Sequence, residues 1–279
     1  MENTWEITPQ TKWPDFYIKE VWGNLELLLR FVRRDFLASY KQTALGVFWI
    51  FIQPLFTALI YVLVFKHAVG ISTAGKPGLL FYFGGVILWT FFSESLSAVA
   101  YTYGSHASIF HKVYFPRIIV SLSMVLSQLI RLGIQFAIYL VIFGVLLANG
   151  AQTVKPNAYA FLFPVVVLIL AIMSLGIGLI FTATSAKYRD VQNLLSFLVR
   201  VWMFATPIIY PLSLVPAAYK KIIALNPVTP LVEIFRYGFL GEGMHSFWAL
   251  GYSLIISILV FMAGIILFNL RDSRVMDII

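Results

Sequence analysis

The sequence has 279 residues, of which 60% are hydrophobic and 11% are charged, and its formal net charge is +8. Soluble domains carry about 25% charged residues, so this composition excludes an ordinary water-soluble fold and indicates a protein that lies in a bilayer. Continuous apolar runs, without segments of alternating polarity, exclude a β-barrel and predict an all-α integral membrane protein.

The chain begins with a polar segment, residues 1–43, that contains an amphipathic stretch at 20–41. Its apolar side chains fall on one helical face, and most of its charged side chains lie off that face. We therefore predict a helix that lies in the membrane interface. Arg33, Arg34 and Lys41 are expected at the membrane surface, where they attract an anionic head group.

Six transmembrane spans are predicted within residues 44–270, and a short tail, residues 271–279, follows them. The spans are expected at 44–66, 79–103, 116–148, 159–184, 191–211 and 247–269. About twice as many Lys and Arg residues fall on the side of the two termini as on the other, which predicts cytoplasmic termini. The positive charge is then explained by anionic lipid and not by nucleic acid.

The polar loop at 104–117, between spans two and three, is richer in functional side chains than a turn requires. A simple turn uses small residues such as Gly, Asn and Ser. This loop instead carries two histidines, Lys112, Arg117 and three large aromatic residues, and Pro116 fixes its exit. The composition indicates a cytoplasmic surface that a partner protein grips.

The segment at 212–246, on the outer side, is too apolar for an exposed loop and too interrupted by proline for a span. We predict two short helices that meet at Asn226-Pro227 and form a re-entrant hairpin. Non-helical backbone at membrane depth is tolerated only inside protein or beside a water-filled cavity. The hairpin is therefore expected to cover or gate a pathway.

Three ionisable residues are predicted inside spans: Glu94, Arg131 and Arg200. A lone charge there costs about 2.5–3.5 kcal/mol on insertion scales, so each needs a partner or a wet cavity. They form a polar patch in a translocation path or a structural interhelical ion pair, or they snorkel to the interface if the span edges are shifted. A single carboxylate well inside a span argues against a proton-driven carrier.

Small residues recur at every fourth position of span four, at Ser174, Gly178, Thr182 and Ala186. Such a row lets a second helix approach closely. The sequence leaves open whether this helix belongs to a second copy of the chain or to the same copy.

No catalytic or metal-binding motif is present in the sequence. It has no cysteine, no Gly-rich phosphate loop, no histidine pair with metal-ligand spacing and no Gly-x-Ser-x-Gly turn. The chain is therefore predicted not to be an enzyme, to have no catalytic residue and to hold no cofactor or metal of its own. Energy for any work has to come from a partner.

Several motifs, in order, resemble the membrane subunits of ABC exporters for polysaccharides or polyol phosphates. They include Tyr40-Lys41-Gln42-Thr43-Ala44-Leu45-Gly46, Leu88-Trp89-Thr90-Phe91-Phe92-Ser93-Glu94, Lys112-Val113-Tyr114-Phe115-Pro116-Arg117, Thr206-Pro207-Ile208-Ile209-Tyr210-Pro211 and Leu225-Asn226-Pro227-Val228-Thr229-Pro230. The resemblance covers about residues 25 to 270 and includes exporters of O antigen, capsule and wall teichoic acid.

The resemblance implies a homodimer in the bacterial cytoplasmic membrane, with two copies of a separate ATPase that binds ATP and Mg. It implies export of a lipid-linked glycan. By their charge, Arg33, Arg34 and Lys41 either attract the pyrophosphate of this glycan at the entry or hold anionic lipid. The residues expected to insert into the ATPase are Phe110, His111, Lys112, Val113 and Tyr114. The residues expected at the outer gate are Asn226, Pro227, Glu233 and Arg236.

Three other functions remain open from the sequence. The first is an ABC exporter of the same fold that carries a drug or a lipid. The second is a channel or secondary carrier that needs no ATPase. The third is a membrane transferase, for which the sequence shows no catalytic set.

Overall fold

A computed structural model describes residues 18–102, 116–149, 154–185, 190–244 and 246–275. Within these ranges the chain is helical and has no strand, which confirms the all-α prediction. The α-helices are α1 (Ile18–Gly23), α2 (Leu25–Tyr40), α3 (Trp49–Tyr61), α4 (Gly78–Ala100), α5 (Ile118–Ala148), α6 (Phe163–Ser185), α7 (Asp190–Phe204), α8 (Ala217–Leu225), α9 (Thr229–Leu240) and α10 (Phe247–Val275). A 3₁₀ turn at Gly46–Phe48 leads into α3, and a π-helical turn at Val62–Ala68 follows it.

Five helical stretches of the described chain are long and apolar enough to cross a bilayer. They are Gly46–Ala68, Gly78–Ala100, Ile118–Ala148, Ala158–Ser185 and Phe247–Leu270. They correspond to predicted spans one to four and six. The membrane-spanning character of the chain follows from them.

The stretch predicted as span five, 191–211, is helical only as far as the end of α7. This helix has 15 residues, so at 1.5 Å per residue it is about 22 Å long, shorter than the hydrocarbon core of about 30 Å. Pro207 explains the end, because it lacks an N–H group and disfavours helical backbone at the preceding residue. The six-span count therefore stays a prediction.

Helix α4 is the centre of the fold. It packs against α3, α5 and α6, and nearly all of its side chains are buried. Leu80, Phe83, Phe92 and Leu96 have no exposed surface. A helix that is apolar on every face is expected to be surrounded by other elements, and here neighbouring helices surround it.

The small-residue row of span four packs α6 against α4 of the same chain. A Cβ atom at Gly178 would lie 2.6 Å from the Val99 side chain. The Thr182 hydroxyl donates a 2.6 Å hydrogen bond to the Val99 carbonyl. Ser174 is also buried, whereas Ala186 lies outside the described residues. The row therefore serves packing within the chain.

Helix α2 packs along the first turns of α5. Leu28 and Phe31 form a small buried cluster with Ile119 and Val120. Leu29, which the sequence places on the same apolar face, is 63% exposed and is available to lipid. The interface helix is thus divided between a protein-facing flank and an exposed flank.

The contact between α6 and α10 depends on two glycines. A Cβ at Gly176 would lie 2.6 Å from the Cα atom of Phe261, and a Cβ at Gly264 would lie 2.5 Å from the Gly176 carbonyl oxygen. Both clashes are with backbone, which cannot move without separating the helices.

We expect Gly176→Ala to destabilise the protein by about 1–3 kcal/mol, because the added methyl group forces α6 and α10 apart. The measurement is the thermal unfolding midpoint of the detergent-purified protein. Gly144→Ala is the matched control, because a Cβ there meets nothing within 4 Å. An equal midpoint for the two variants would contradict the proposed packing.

Candidate functional site

A polar cavity of about 240 Å³ lies between the apolar spans. It is enclosed by α3, α4, α5 and α7 and by the C-terminal end of α2. Its polar lining residues are Tyr40, Gln53, Thr57, Tyr61, Thr90, Glu94, Gln128, Arg131 and Gln135. Trp49, Trp89 and Phe91 add aromatic surface. The cavity combines carboxylate, guanidinium, amide, hydroxyl and ring surfaces in one small space.

The structure brings Glu94 and Arg131 to this one cavity. Their side chains do not form an ion pair, and Glu94 accepts no hydrogen bond from the residues that the structure describes. Arg200 lies on the exposed surface of α7 and does not line the cavity. Glu94 and Arg131 thus share a polar cavity without an ion pair between them, and the place of this cavity in a translocation path stays a prediction.

Arg131 is held in place by neighbours on two helices. Its Nη2 donates a 2.7 Å hydrogen bond to the Ser39 hydroxyl, and its Nη1 lies 3.4 Å from the Gln128 amide oxygen. The guanidinium carbon is 5.3 Å from the centroid of the Tyr40 ring. Burial raises the pKa of the Tyr40 hydroxyl, Arg131 opposes the rise and Glu94 adds to it. These groups share one electrostatic environment.

A proline in α3 explains one buried polar contact of the cavity wall. Pro54 has no N–H group, so the carbonyl of Ile50, four residues earlier, lacks its helical donor. The Gln135 side chain of α5 donates a 2.9 Å hydrogen bond to that carbonyl. The pair joins spans one and three where the backbone would otherwise be unsatisfied.

A second set of hydrogen bonds joins α2 to α5. Along α5, Ser123, Ser127 and Arg131 follow one another at intervals of four residues and so lie on one face. Their partners on α2 are the Asp35 carboxylate at 3.4 Å, the Val32 carbonyl at 3.3 Å and the Ser39 hydroxyl at 2.7 Å. This contact is not among the sequence predictions. Polar residues at regular intervals of four in an apolar span are the sequence pattern that indicates it.

The cationic residues predicted at the membrane surface have different surroundings. Arg33 and Lys41 are exposed. Arg34 forms a 2.7 Å ion pair with Asp35 and lies 4.7 Å from the centroid of the Phe31 ring. Lys41 directly follows Tyr40, which lines the cavity, so it lies beside the α2 end of the cavity wall.

The predicted coupling residues Phe110, His111, Lys112, Val113 and Tyr114 lie outside the described residues. So does most of the loop at 104–117. Their role stays a prediction.

Two short helices flank Asn226-Pro227 in the outer segment, as predicted. Helix α8 ends at Leu225 and α9 begins at Thr229. Helix α9 is almost completely buried, whereas α8 has no buried residue. The depth of this hairpin in the membrane stays a prediction.

Arg236 of α9 binds the irregular backbone that follows α7. It is 2% exposed and donates to the carbonyls of Pro207 and Ile208, the latter at 2.6 Å. Glu233 provides the counter-charge at 3.4 Å, and the Phe81 ring lies 3.7 Å from the guanidinium carbon. The buried Arg236 guanidinium thus hydrogen-bonds to two carbonyls of the non-helical backbone that follows α7.

Asn226, in the turn between α8 and α9, forms hydrogen bonds with residues at the C-terminal end of α7. Its Nδ2 donates a 2.8 Å hydrogen bond to the Thr206 hydroxyl, and its Oδ1 accepts one of 3.0 Å from the Trp202 indole. The neighbouring Pro227 carbonyl accepts a 2.8 Å hydrogen bond from Ser253 of α10. Asn226, Pro227 and Arg236 thus connect the segment at 212–246 to the end of α7 and to α10, and Glu233 is the counter-charge of Arg236. A second cavity of about 490 Å³ lies beside Arg236 and Glu233.

Comparison with known proteins gives a consistent match over most of the chain. The profile of the family described as ABC-2 type transporter matches residues 26–240, from α2 to the end of α9. The O-antigen export system permease protein RfbA of Myxococcus xanthus is 31% identical over 221 residues, which cover 78% of this chain and 82% of the relative.

Two further relatives cover more of the chain at lower identity. The protein of the same name from Klebsiella pneumoniae is 25% identical, over 91% of this chain and 95% of the relative. The polysialic acid transport protein KpsM of Escherichia coli is 22% identical, over 87% of this chain and 92% of the relative.

We expect Arg236→Met to lower the thermal unfolding midpoint by about 10 °C, because removing one partner of a buried ion pair costs about 3–5 kcal/mol. The measurement is thermal unfolding of the purified protein. Arg200→Met is the control, because Arg200 is exposed, and its effect should stay below about 1 kcal/mol. Equal effects of the two substitutions would contradict the anchoring role of Arg236.

Proposed function

The chain belongs to the ABC-2 type transporter family, and from this membership we propose that it is the membrane-spanning subunit of an ATP-driven polysaccharide exporter. The proposed cargo is a lipid-linked glycan of the O-antigen, capsule or teichoic acid type. The proposed direction is from the cytoplasm to the outer side of the bacterial cytoplasmic membrane. Relatives named for O-antigen export and polysialic acid transport support the polysaccharide class.

The observation that carries this proposal is the polar and aromatic cavity between spans. Apolar helices pack stably without a cluster of glutamine, glutamate and threonine side chains, and burying such groups costs free energy. Amide, carboxylate and hydroxyl groups hydrogen-bond sugar hydroxyls, and the exposed indole of Trp49 offers a surface for a sugar ring. A hydrophilic cargo explains why the chain retains them.

The energy in this proposal comes from a partner. Two copies of an ATPase that binds ATP and Mg dock on the cytoplasmic face of a homodimer of this chain. The loop at 104–117 and helix α2 are the proposed contacts. The hydrogen-bonded row from Ser123 to Arg131 supports this role of α2, because it links the helix to the cavity wall.

The two ends of the proposed pathway have different chemistry. At the cytoplasmic end, Arg33 and Lys41 are exposed and attract the pyrophosphate of the lipid carrier, whereas Arg34 is already paired with Asp35. At the outer end, α9 is fixed to the backbone after α7 by Arg236. The hairpin and the end of α7 are therefore proposed to move as one unit when the outer gate opens.

Deletion of the gene in its native host tests the proposed function. Lipid-linked polymer should accumulate inside the cell, and surface polymer should fall to background. A plasmid copy of the wild-type chain should restore both. Unchanged surface polymer, with loss of export of a labelled hydrophobic drug, would instead indicate an exporter with a different cargo.

The same deletion strain tests the proposed contact with the ATPase. A copy that carries Phe110→Ala and Lys112→Glu should reach the membrane at the wild-type level but fail to restore export or to co-purify with the ATPase. Isolation of the wild-type chain from native membranes without any nucleotide-binding subunit would contradict ATP-driven export.

A further inference from the structure

The Glu94 carboxylate is the charged group of the cavity that is best placed to meet a cargo. It is exposed at the cavity, and no hydrogen bond or ion pair reaches it from the described part of the chain. A carboxylate in an apolar span needs compensation. Hydrogen-bond donors such as water or sugar hydroxyls can supply it by donating to the carboxylate oxygens.

The positive charge of the same cavity is less accessible. Both terminal nitrogens of Arg131 contact protein acceptors, the Ser39 hydroxyl and the Gln128 amide oxygen. Its Nε atom is buried, and the Tyr40 ring lies beside the guanidinium. Arg131 is therefore partly buried and engaged by protein groups, whereas the Glu94 carboxylate is exposed at the cavity and has no partner among the described residues.

We propose that Glu94 determines the charge of the sugar units that this exporter accepts, an inference that rests on the proposed function. Uncharged sugars donate hydroxyl hydrogen bonds to the carboxylate and stack on the exposed indole of Trp49. An acidic sugar places a second carboxylate beside Glu94. Taken alone, two like charges about 5 Å apart at an effective dielectric constant of about 20 disfavour occupancy by more than a hundredfold; the Arg131 charge in the same cavity offsets part of this repulsion, and selection of about tenfold or more is expected to remain. The cargo is therefore a polymer of uncharged sugars.

The pyrophosphate of a lipid carrier does not remove this selection. The pyrophosphate passes Glu94 once for each polymer, whereas every sugar unit of the polymer passes Glu94 in turn. An acidic repeating unit therefore brings a negative charge past Glu94 many times during the export of one polymer. The named relatives include a transport protein for polysialic acid, an acidic polymer, so charge selection is a property on which members of the family can differ.

The experiment uses the intact exporter, the wild-type chain with its ATPase, in two strains that lack their own exporter. One strain makes an uncharged lipid-linked polymer, and the other makes a polymer of equal length with a uronic acid in each repeat. The ratio of surface polymer in the two strains, normalised to the membrane level of the chain, is the readout. This ratio is independent of any general loss of activity in a variant.

Wild-type protein should export the uncharged polymer at least tenfold better than the acidic one. Glu94→Gln should reduce this ratio to less than about threefold. Thr90→Glu, which adds a carboxylate one turn away on the same cavity wall, should increase it. Glu26→Gln removes the same charge from the exposed start of α2 and should leave the ratio at the wild-type value.

Equal export of the two polymers by the wild-type chain, or an unchanged ratio in Glu94→Gln, would overturn the role of Glu94 and leave the proposed function intact. Failure of the wild-type chain to export either polymer would instead count against the proposed function.

Discussion

A backbone carbonyl that leaves a helix inside a bilayer has to be paired by a protein side chain, because water is scarce there. This constraint explains three of the polar contacts in the structure. Gln135 pairs the carbonyl that Pro54 leaves open in α3. Arg236 and Asn226 pair the backbone after α7, where Pro207 ends the helix. The backbone breaks at Pro54 and after α7 thus each have a polar partner elsewhere in the chain.

These pairings also determine which parts of the molecule move together. Helix α9 is joined to the end of α7 by a buried cation that binds two carbonyls. Helix α2 is joined to α5 by a row of side-chain hydrogen bonds that ends at the cavity. A displacement of α2 would therefore be transmitted to the cavity wall through these hydrogen bonds. The exposed carboxylate of Glu94 has no hydrogen-bond or ion-pair partner among the residues that the structure describes, and on this observation we base its proposed role toward cargo.

The apolar runs and their proline and glycine boundaries were sufficient to predict five of the spans and the two helices around Asn226-Pro227. The end of α7 was placed too late, because hydropathy continues past Phe204 although Pro207 interrupts the backbone. The surroundings of Glu94 and Arg131 were not predictable, because they depend on the rotation of α4 and α5 about their axes. The sequence also left open the partner of the small-residue row, which is α4 of the same chain.

The central claim is that the cavity between α3, α4, α5 and α7 lies on the path of the polysaccharide. Photocrosslinking in native membranes tests it most directly, with a photoreactive residue at Gln53, which lines the cavity, or at Leu129, which is exposed on α5 and does not line it. The account predicts that lipid-linked polymer crosslinks at position 53 at least tenfold more than at position 129. Equal labelling at the two positions, or none at position 53, would contradict it.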